Sequence, residues 1–263
     1  DTHALVRDLQ SHGIRVLGST IIGLEEHTPE NMDDVISHAV SHDTVFHQFM
    51  LYTPIPGTEL YEQHRREGTL VPESECPMPD IHGQLRFNYR HDHIRDGQEG
   101  RYLLQAFRRD FEVNGPSLVR MIRTTLQGWR RYKNHPEKRI RDRYAWEVRL
   151  NRGSYAGLVW AARKWFRRRG LDARKISATL DEIHREFGLK SRLASLVIGP
   201  FLYRMLEREE RRLADGWTYE PTTVYEKNAR ALEEERAGRK GVKSRITEIR
   251  WATGEPAPAA GMK

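Results

Sequence analysis

GSTIIGLEEHTPENMDDVISHAVSHDTVFHQFMLYTPIPGTELYEQHRREG, residues 18–68, holds two short apolar runs, Val16 to Ile22 and Val45 to Tyr52. Each run is followed by glycine or proline punctuation and then by a helix-like segment, so the order reads strand, turn, helix, strand, turn, helix. Val16, Leu17, Ile21 and Ile22 show almost no polar alternation, the pattern of a strand buried on both faces. Gly23 ends it. Thr28 then stands as a helix N-cap with Pro29 at the first helical position, and Glu30, Asp33 and Asp34 sit where the helix dipole favours negative charge. This helix is expected to run to about Ser41. The second strand closes on Thr53-Pro54-Ile55-Pro56-Gly57-Thr58, a rigid turn whose prolines cannot donate to a sheet ladder. Thr58 is placed to cap a helix from Glu59 to Arg66.

Two parallel strands with crossover helices leave sheet edges open on both sides and need further strands for stability. No other run of that quality follows downstream. The expectation is that the remaining strands lie upstream of Asp1, in agreement with the absence of an initiator methionine.

Ser19-Thr20-Ile21-Ile22-Gly23-Leu24-Glu25-Glu26 resembles the Gly-x-Ile-x-Gly-x-x-Glu pattern on the fifth strand of radical S-adenosylmethionine (radical SAM) enzymes. Phe49 to Thr58, with Leu60-Tyr61 and Gly68 behind it, resembles the sixth strand of that superfamily and its Pro-x-Pro-Gly-Thr turn. Within the superfamily, the likeness is to the group that carries a cobalamin-binding domain ahead of the barrel. Ser19 departs from the pattern's glycine, and the Cys-x-x-x-Cys-x-x-Cys loop that ligates the cluster is absent. The resemblance covers Thr2 to about Leu70. It implies an α/β N-terminal segment, the last two βα units of a radical SAM partial TIM barrel, followed by a mainly α-helical C-terminal domain. Thr2 to His12 would be the fourth barrel helix. Ile21 and Gly23 would lie near the adenine of S-adenosylmethionine, with Leu51, Thr53 and Pro54 on the next strand end. Ligands of parallel α/β barrels do sit at the carboxyl ends of the strands, and a glycine there lets a flat purine approach the backbone.

The implied whole enzyme cleaves S-adenosylmethionine reductively to a 5′-deoxyadenosyl radical on a [4Fe-4S] cluster. With cobalamin as a further cofactor, methyl transfer to an unactivated carbon is the implied outcome. A cluster of this kind takes three thiolates from its loop, and the only cysteine here is Cys76. The chain itself would supply adenine contacts and walls for a small-molecule or lipid-like substrate, with no catalytic residue and no metal ligand assigned. Its partners would be the upstream radical SAM and cobalamin-binding regions of the same protein.

Composition bounds the alternatives. The 263 residues are 38% hydrophobic, with a mean hydropathy of −0.75. They show no secretory signal and no apolar run of membrane-spanning length. A single cysteine excludes an internal disulfide framework and suits a cytoplasmic setting. Cys76 lies between Glu75 and Pro77, where a reactive and an inert thiol both fit. The net charge of +7 hides an asymmetry: residues 1–75 carry −9 and residues 101–175 carry +15. Parts so different face different partners, or each other.

The organisation expected is residues 1–70 as barrel, 71–100 as a linker or loop region, 101–237 as a basic helical domain and 238–263 as a disordered tail. A short strand is expected at Leu85 to Tyr89. His82, His91, Asp92, His93 and Asp96 read as a polar loop, with a metal site as the sharper alternative. His38 and His42 have the i,i+4 spacing of a helical metal site, but Ala39 stands where the zinc-protease pattern has glutamate, and they read as ordinary helix residues. After Gly100, helical periodicity predicts helices ending at Asn114, then Leu118 to Tyr132, Glu137 to Leu150 and Tyr155 to Arg169. Lys175 to Phe187 is expected to stop at Gly188. Ser191 to Gly216 is expected to kink or break at Gly199-Pro200, and Val224 to Ala237 reads as an exposed helix.

The basic helices interleave Arg130, Arg131, Arg139, Arg141, Arg143 and Arg167 to Arg169 with Trp129, Tyr132, Trp146, Trp160 and Trp165. Four readings fit: a solvated face around an aromatic core, a docking surface for the acidic segment, peripheral contact with an anionic membrane, and nucleic-acid binding. Nucleic acid ranks last, because none of its familiar signatures is present. Two functional alternatives to the radical SAM reading therefore stand: a non-enzymatic basic helical module binding an anionic membrane surface or nucleic acid, and a different α/β enzyme with similar strand ends.

Overall fold

The computed structural model describes residues 1–72, Glu75 and residues 85–216. One compact unit takes in Asp1–Glu207 and a second takes in Arg208–Lys263. Cys76, His82, the expected helix Val224 to Ala237 and the expected tail lie outside the described residues.

Helix α1 (Thr2–Ser11) is capped by the Asp1 carboxylate, which accepts from the backbone N–H groups of His3 and Ala4. β1 (Leu17–Ile22), α2 (Met32–Ser41), β2 (Phe46–Leu51) and α3 (Glu59–Glu67) follow in the expected order. The strands run parallel, with Leu17 opposite Phe46 and Ile22 opposite Leu51. Thr58 caps α3 as its position predicts, its hydroxyl accepting from the Tyr61 N–H.

The start of α2 differs from expectation. Thr28 and Pro29 form a turn, and the helix begins at Met32. The reason is Asn31: its side-chain oxygen accepts from the Thr28 N–H at 2.9 Å and its amide donates to the Glu26 carbonyl at 2.8 Å. These bonds close a loop ahead of the helix, in competition with a Thr28 cap.

Only one face of the two strands is covered, where the sequence predicts burial on both. Ile22, Phe49 and Leu51 pack with Met32, Ile36, Ala39 and Val40 of α2 and with Leu103 and Ala106 of α4 (Gln98–Asn114). Phe87, Tyr89 and Ile94, from the stretch expected as linker, complete this core. The expected strand at Leu85 to Tyr89 is reduced to one antiparallel bridge between Tyr89 and Leu70.

The rest of the described chain is helical: α5 (Ser117–Tyr132), α6 (Lys138–Val148), a 3₁₀ turn (Arg149–Arg152), α7 (Ser154–Arg168) and α8 (Arg174–Ala214). Their apolar faces meet in a second core, which includes Val119, Ile122, Leu126, Val159, Phe166, Ile176, Leu180 and Ile183. Burying each such side chain contributes roughly 1.5–3 kcal/mol. α1 reaches α5 through Gly13 and Gly128, whose close approach leaves no room for a Cβ on either: one built on Gly13 would lie 2.9 Å from the Gly128 Cα. α8 is broken at Gly188, which has φ 61° and ψ −142°. It continues helically through Pro200, so the expected break at Gly199-Pro200 does not occur.

A buried polar network links the two cores. Arg120 donates to both oxygens of Asp110 at 2.9 and 2.7 Å and to the Thr44 carbonyl at 2.9 Å. Asn114 bridges Asp110 to the Val40 carbonyl and accepts from Lys175. A buried charge pair survives only when most of its remaining donors and acceptors are satisfied in this way; within this pair Arg120 Nε is buried without a partner among the described residues.

Candidate functional site at the strand ends

Both strands deliver their carboxyl ends to the same edge, where two loops emerge. In the loop after β1, the backbone N–H groups of Gly23 and Leu24 both donate to Nδ1 of His27, at 3.0 and 3.2 Å. That nitrogen must therefore be unprotonated. Burial pushes the His27 pKa down, opposed by the charge of Glu26. The Tyr89 hydroxyl donates to the Gly23 carbonyl at 2.8 Å, and burial pushes its pKa up, so it stays a donor. His91 lies with Nε2 3.1 Å from the Leu24 carbonyl while Nδ1 accepts from the His93 and Ile94 N–H groups.

The loop after β2 is held from the same segment. Asn88 donates its amide to the Pro54 carbonyl at 2.8 Å, and its own side-chain oxygen is buried without a partner among the described residues. The Thr53 hydroxyl turns back to the Leu51 carbonyl at 3.0 Å. Residues 88–91 thus form a strap across both strand ends.

The sheet's uncovered face carries Leu17, Ser19 and Ile21 from β1 and Phe46, Gln48 and Met50 from β2. Leu17 is 60% exposed, Ile21 41% and Phe46 40%. Of the residues singled out in the sequence, Ile21 stands on this open face, level with Met50. Gly23 lies at the strand end in a left-handed conformation (φ 90°), and a Cβ there would fall 2.3 Å from the Phe87 ring. The space beside this glycine is therefore filled by Phe87. Leu51 faces the first core, Pro54 is buried under Asn88, and Thr53 is half-buried between them. The structure brings all five to one end of the sheet but turns only Ile21 to the open face. Met50 was legible from register with Ile21. His27, Asn88, Tyr89 and His91 were not, because the strap has no periodicity and lies far along the chain from the loops it holds.

No family model, no curated protein and no solved structure matches this chain.

Elsewhere, His38 of α2 and His42, which follows its last residue, are joined by His3 of α1. The rings of His3 and His42 stack at 3.8 Å, and His38 meets His42 edge-on at 4.9 Å. Among the described residues, no group of three or more His, Cys, Asp or Glu side chains is arranged to hold a metal ion. The hydrogen bonds of His91 occupy both of its ring nitrogens. At the amino ends of the strands, a cavity of about 470 Å³ is lined by Arg7, His42, Asp43, Arg123 and Lys175 among others. Asp43 there pairs with Arg123 at 2.9 Å and Lys175 at 3.0 Å, and Arg109 reaches Asp33 of α2 at 2.5 Å. Part of the basic surface thus meets the acidic segment within the same unit. The aromatic residues of that surface carry cations on their rings, Arg169 over Trp165 at 3.8 Å and Arg149 over Trp146 at 4.8 Å.

Proposed function

We propose that this chain is the closing segment of a radical SAM barrel together with its helical cover, acting within a longer enzyme of the cobalamin-binding group. The observation that supports this reading is the sheet's uncovered apolar face. β1 and β2 pair only with each other among the described residues, so each has a free edge. A two-stranded sheet with one face open is marginal alone and calls for further strands around it. In a barrel, that face would look into the lumen.

The fit to each implied group differs. Ile21 and Met50 form an apolar bench at the carboxyl end of the strands, which suits one face of the adenine of S-adenosylmethionine. Gly23, backed by Phe87, and the Thr53-Pro54 loop would shape its edge without lying under it. The residues present do not fit a [4Fe-4S] cluster, because Cys76 is one thiol where three are needed. Cobalamin and methyl transfer follow from the family likeness alone.

Anaerobic reconstitution of the longer protein with iron and sulfide, followed by chromatography for 5′-deoxyadenosine, tests the proposal. Production of 5′-deoxyadenosine is expected, with affinity for S-adenosylmethionine lowered at least about tenfold by Ile21→Asp. A reconstituted protein that makes none, or a coding sequence with no three-cysteine loop ahead of this segment, would overturn it.

A further inference from the structure

The second half of α8 is built inside out. Its inward row is Ser191, Ser195, Gly199 and Tyr203, all buried and spaced by four. These side chains are small or polar and allow close approach. Ser195 accepts or donates at 2.8 Å to His184, and a Cβ on Gly199 would lie 2.6 Å from the Trp160 ring. The outward row is Leu189, Leu193, Val197, Phe201 and Met205, also spaced by four, with Leu196 beside it. These six are 47–74% exposed. The seventeen residues from Leu189 to Met205 make this row about 24 Å long. A continuous apolar surface of this kind on a soluble helix marks an interaction site.

The charges say what would cover it. From Gly188 to Leu206 there is no acidic residue, while Lys190, Arg192 and Arg204 are all exposed and form no ion pair among the described residues. Lys190 and Arg192 stand near one end of the row and Arg204 near the other. An antiparallel second copy would set Lys190 and Arg192 against Arg204, and the next carboxylate along the helix, Glu207, is already paired with Arg168 at 2.6 Å. The row also lacks the alternation of three and four that a coiled-coil seam requires, and Pro200 interrupts the neighbouring row. A surface that accepts an apolar row and returns negative charge along its margins is an anionic lipid bilayer.

We propose that residues 189–206 lie in the interface of an anionic membrane, with Leu189, Leu193, Leu196, Val197 and Phe201, which share an arc of about 140° of the helix, among the acyl chains and the cations of the segment at the lipid phosphates. Long cationic side chains reach the headgroup level from such positions. No helix among the described residues is long and apolar enough to cross a membrane, so the contact is peripheral. It concerns a different surface from the strand ends and does not depend on the radical SAM reading.

Co-sedimentation of the full chain with vesicles tests the proposal, using phosphatidylcholine alone and phosphatidylcholine with 30% phosphatidylglycerol, a proportion of roughly physiological anionic content. Binding is expected to the anionic vesicles, weakening as salt is raised. Val197→Asp and Phe201→Asp should each lower it about tenfold or more, and Arg192→Gln about fivefold. All three positions are exposed, and unchanged circular dichroism establishes that the variants are folded. Failure to pellet with anionic vesicles would overturn the proposal, as would equal binding by the two aspartate variants. Sedimentation velocity supplies the remaining arm: a dimer of the parent chain that Phe201→Asp converts to monomer would show that a second copy covers the row, and the proposal would fall.

Discussion

Gly23 shows how one position can be read correctly as special and for an incomplete reason. Its place at the end of a buried strand marks it as a residue that must lack a side chain, and the sequence suggests a ligand as the neighbour. The structure supplies Phe87 instead, a partner that no local pattern connects to it. Gly57 provides the control, with φ 87° and nothing within 4 Å of a built Cβ. Gly57→Ala should cost about 1 kcal/mol from backbone strain alone. Gly23→Ala should cost about 3 kcal/mol, because overpacking against the ring adds to the strain. Urea midpoints of the two variants measure the difference, and adding Phe87→Ala to Gly23→Ala should reduce the gap. Equal midpoints would mean that Phe87 does not fill this space.

At the level of elements, strands and most helices follow from the sequence because their causes are local. Apolar runs closed by glycine or proline gave β1 and β2, and Thr58 gave the start of α3. Where the cause is a competing side chain, the reading slips: Asn31 holds a turn together and delays α2. Gly199-Pro200 looked like a break, yet Gly199 serves the close contact with Trp160 and the helix runs on. The loop after β1 has its own dependence on pH. Its two N–H donors need an unprotonated His27, whose pKa is lowered in the fold by burial. With a folded pKa below the unfolded value of about 6.5, the unfolded chain binds the proton first. Stability is therefore full above about pH 6.5 and is lost as the pH falls through that value toward the folded pKa. His47 shares this direction through its own burial. Melting temperature recorded from pH 8 to pH 5 should fall, and His27→Gln should flatten part of the slope. A slope unchanged by that substitution would assign the effect elsewhere.

For the whole molecule, the charge asymmetry was visible in the sequence, and docking of the acidic segment on the basic one was among its four readings. Asp33 and Asp43 of the acidic segment meet Arg109, Arg123 and Lys175 at partly exposed positions, where each pair contributes about 1 kcal/mol or less. The pair that matters most, Arg120 with Asp110, was invisible: neither residue stood out from its neighbours, and only tertiary packing buries them together. Removing one partner of such a pair leaves an uncompensated buried charge, so Asp110→Asn should cost about 3 kcal/mol, as read from the shift in the urea midpoint. A cost near zero would show that the pair is solvated. The same guanidinium is bonded to the Thr44 carbonyl at the entry to β2 while sitting on α5. Opening either the strand pair or the second helical core therefore strands a charge in the other. Slow amide exchange in β2 and in the middle of α5 should then proceed through one shared opening, with matched protection, so that the chain up to Glu207 denatures as a single cooperative foldon.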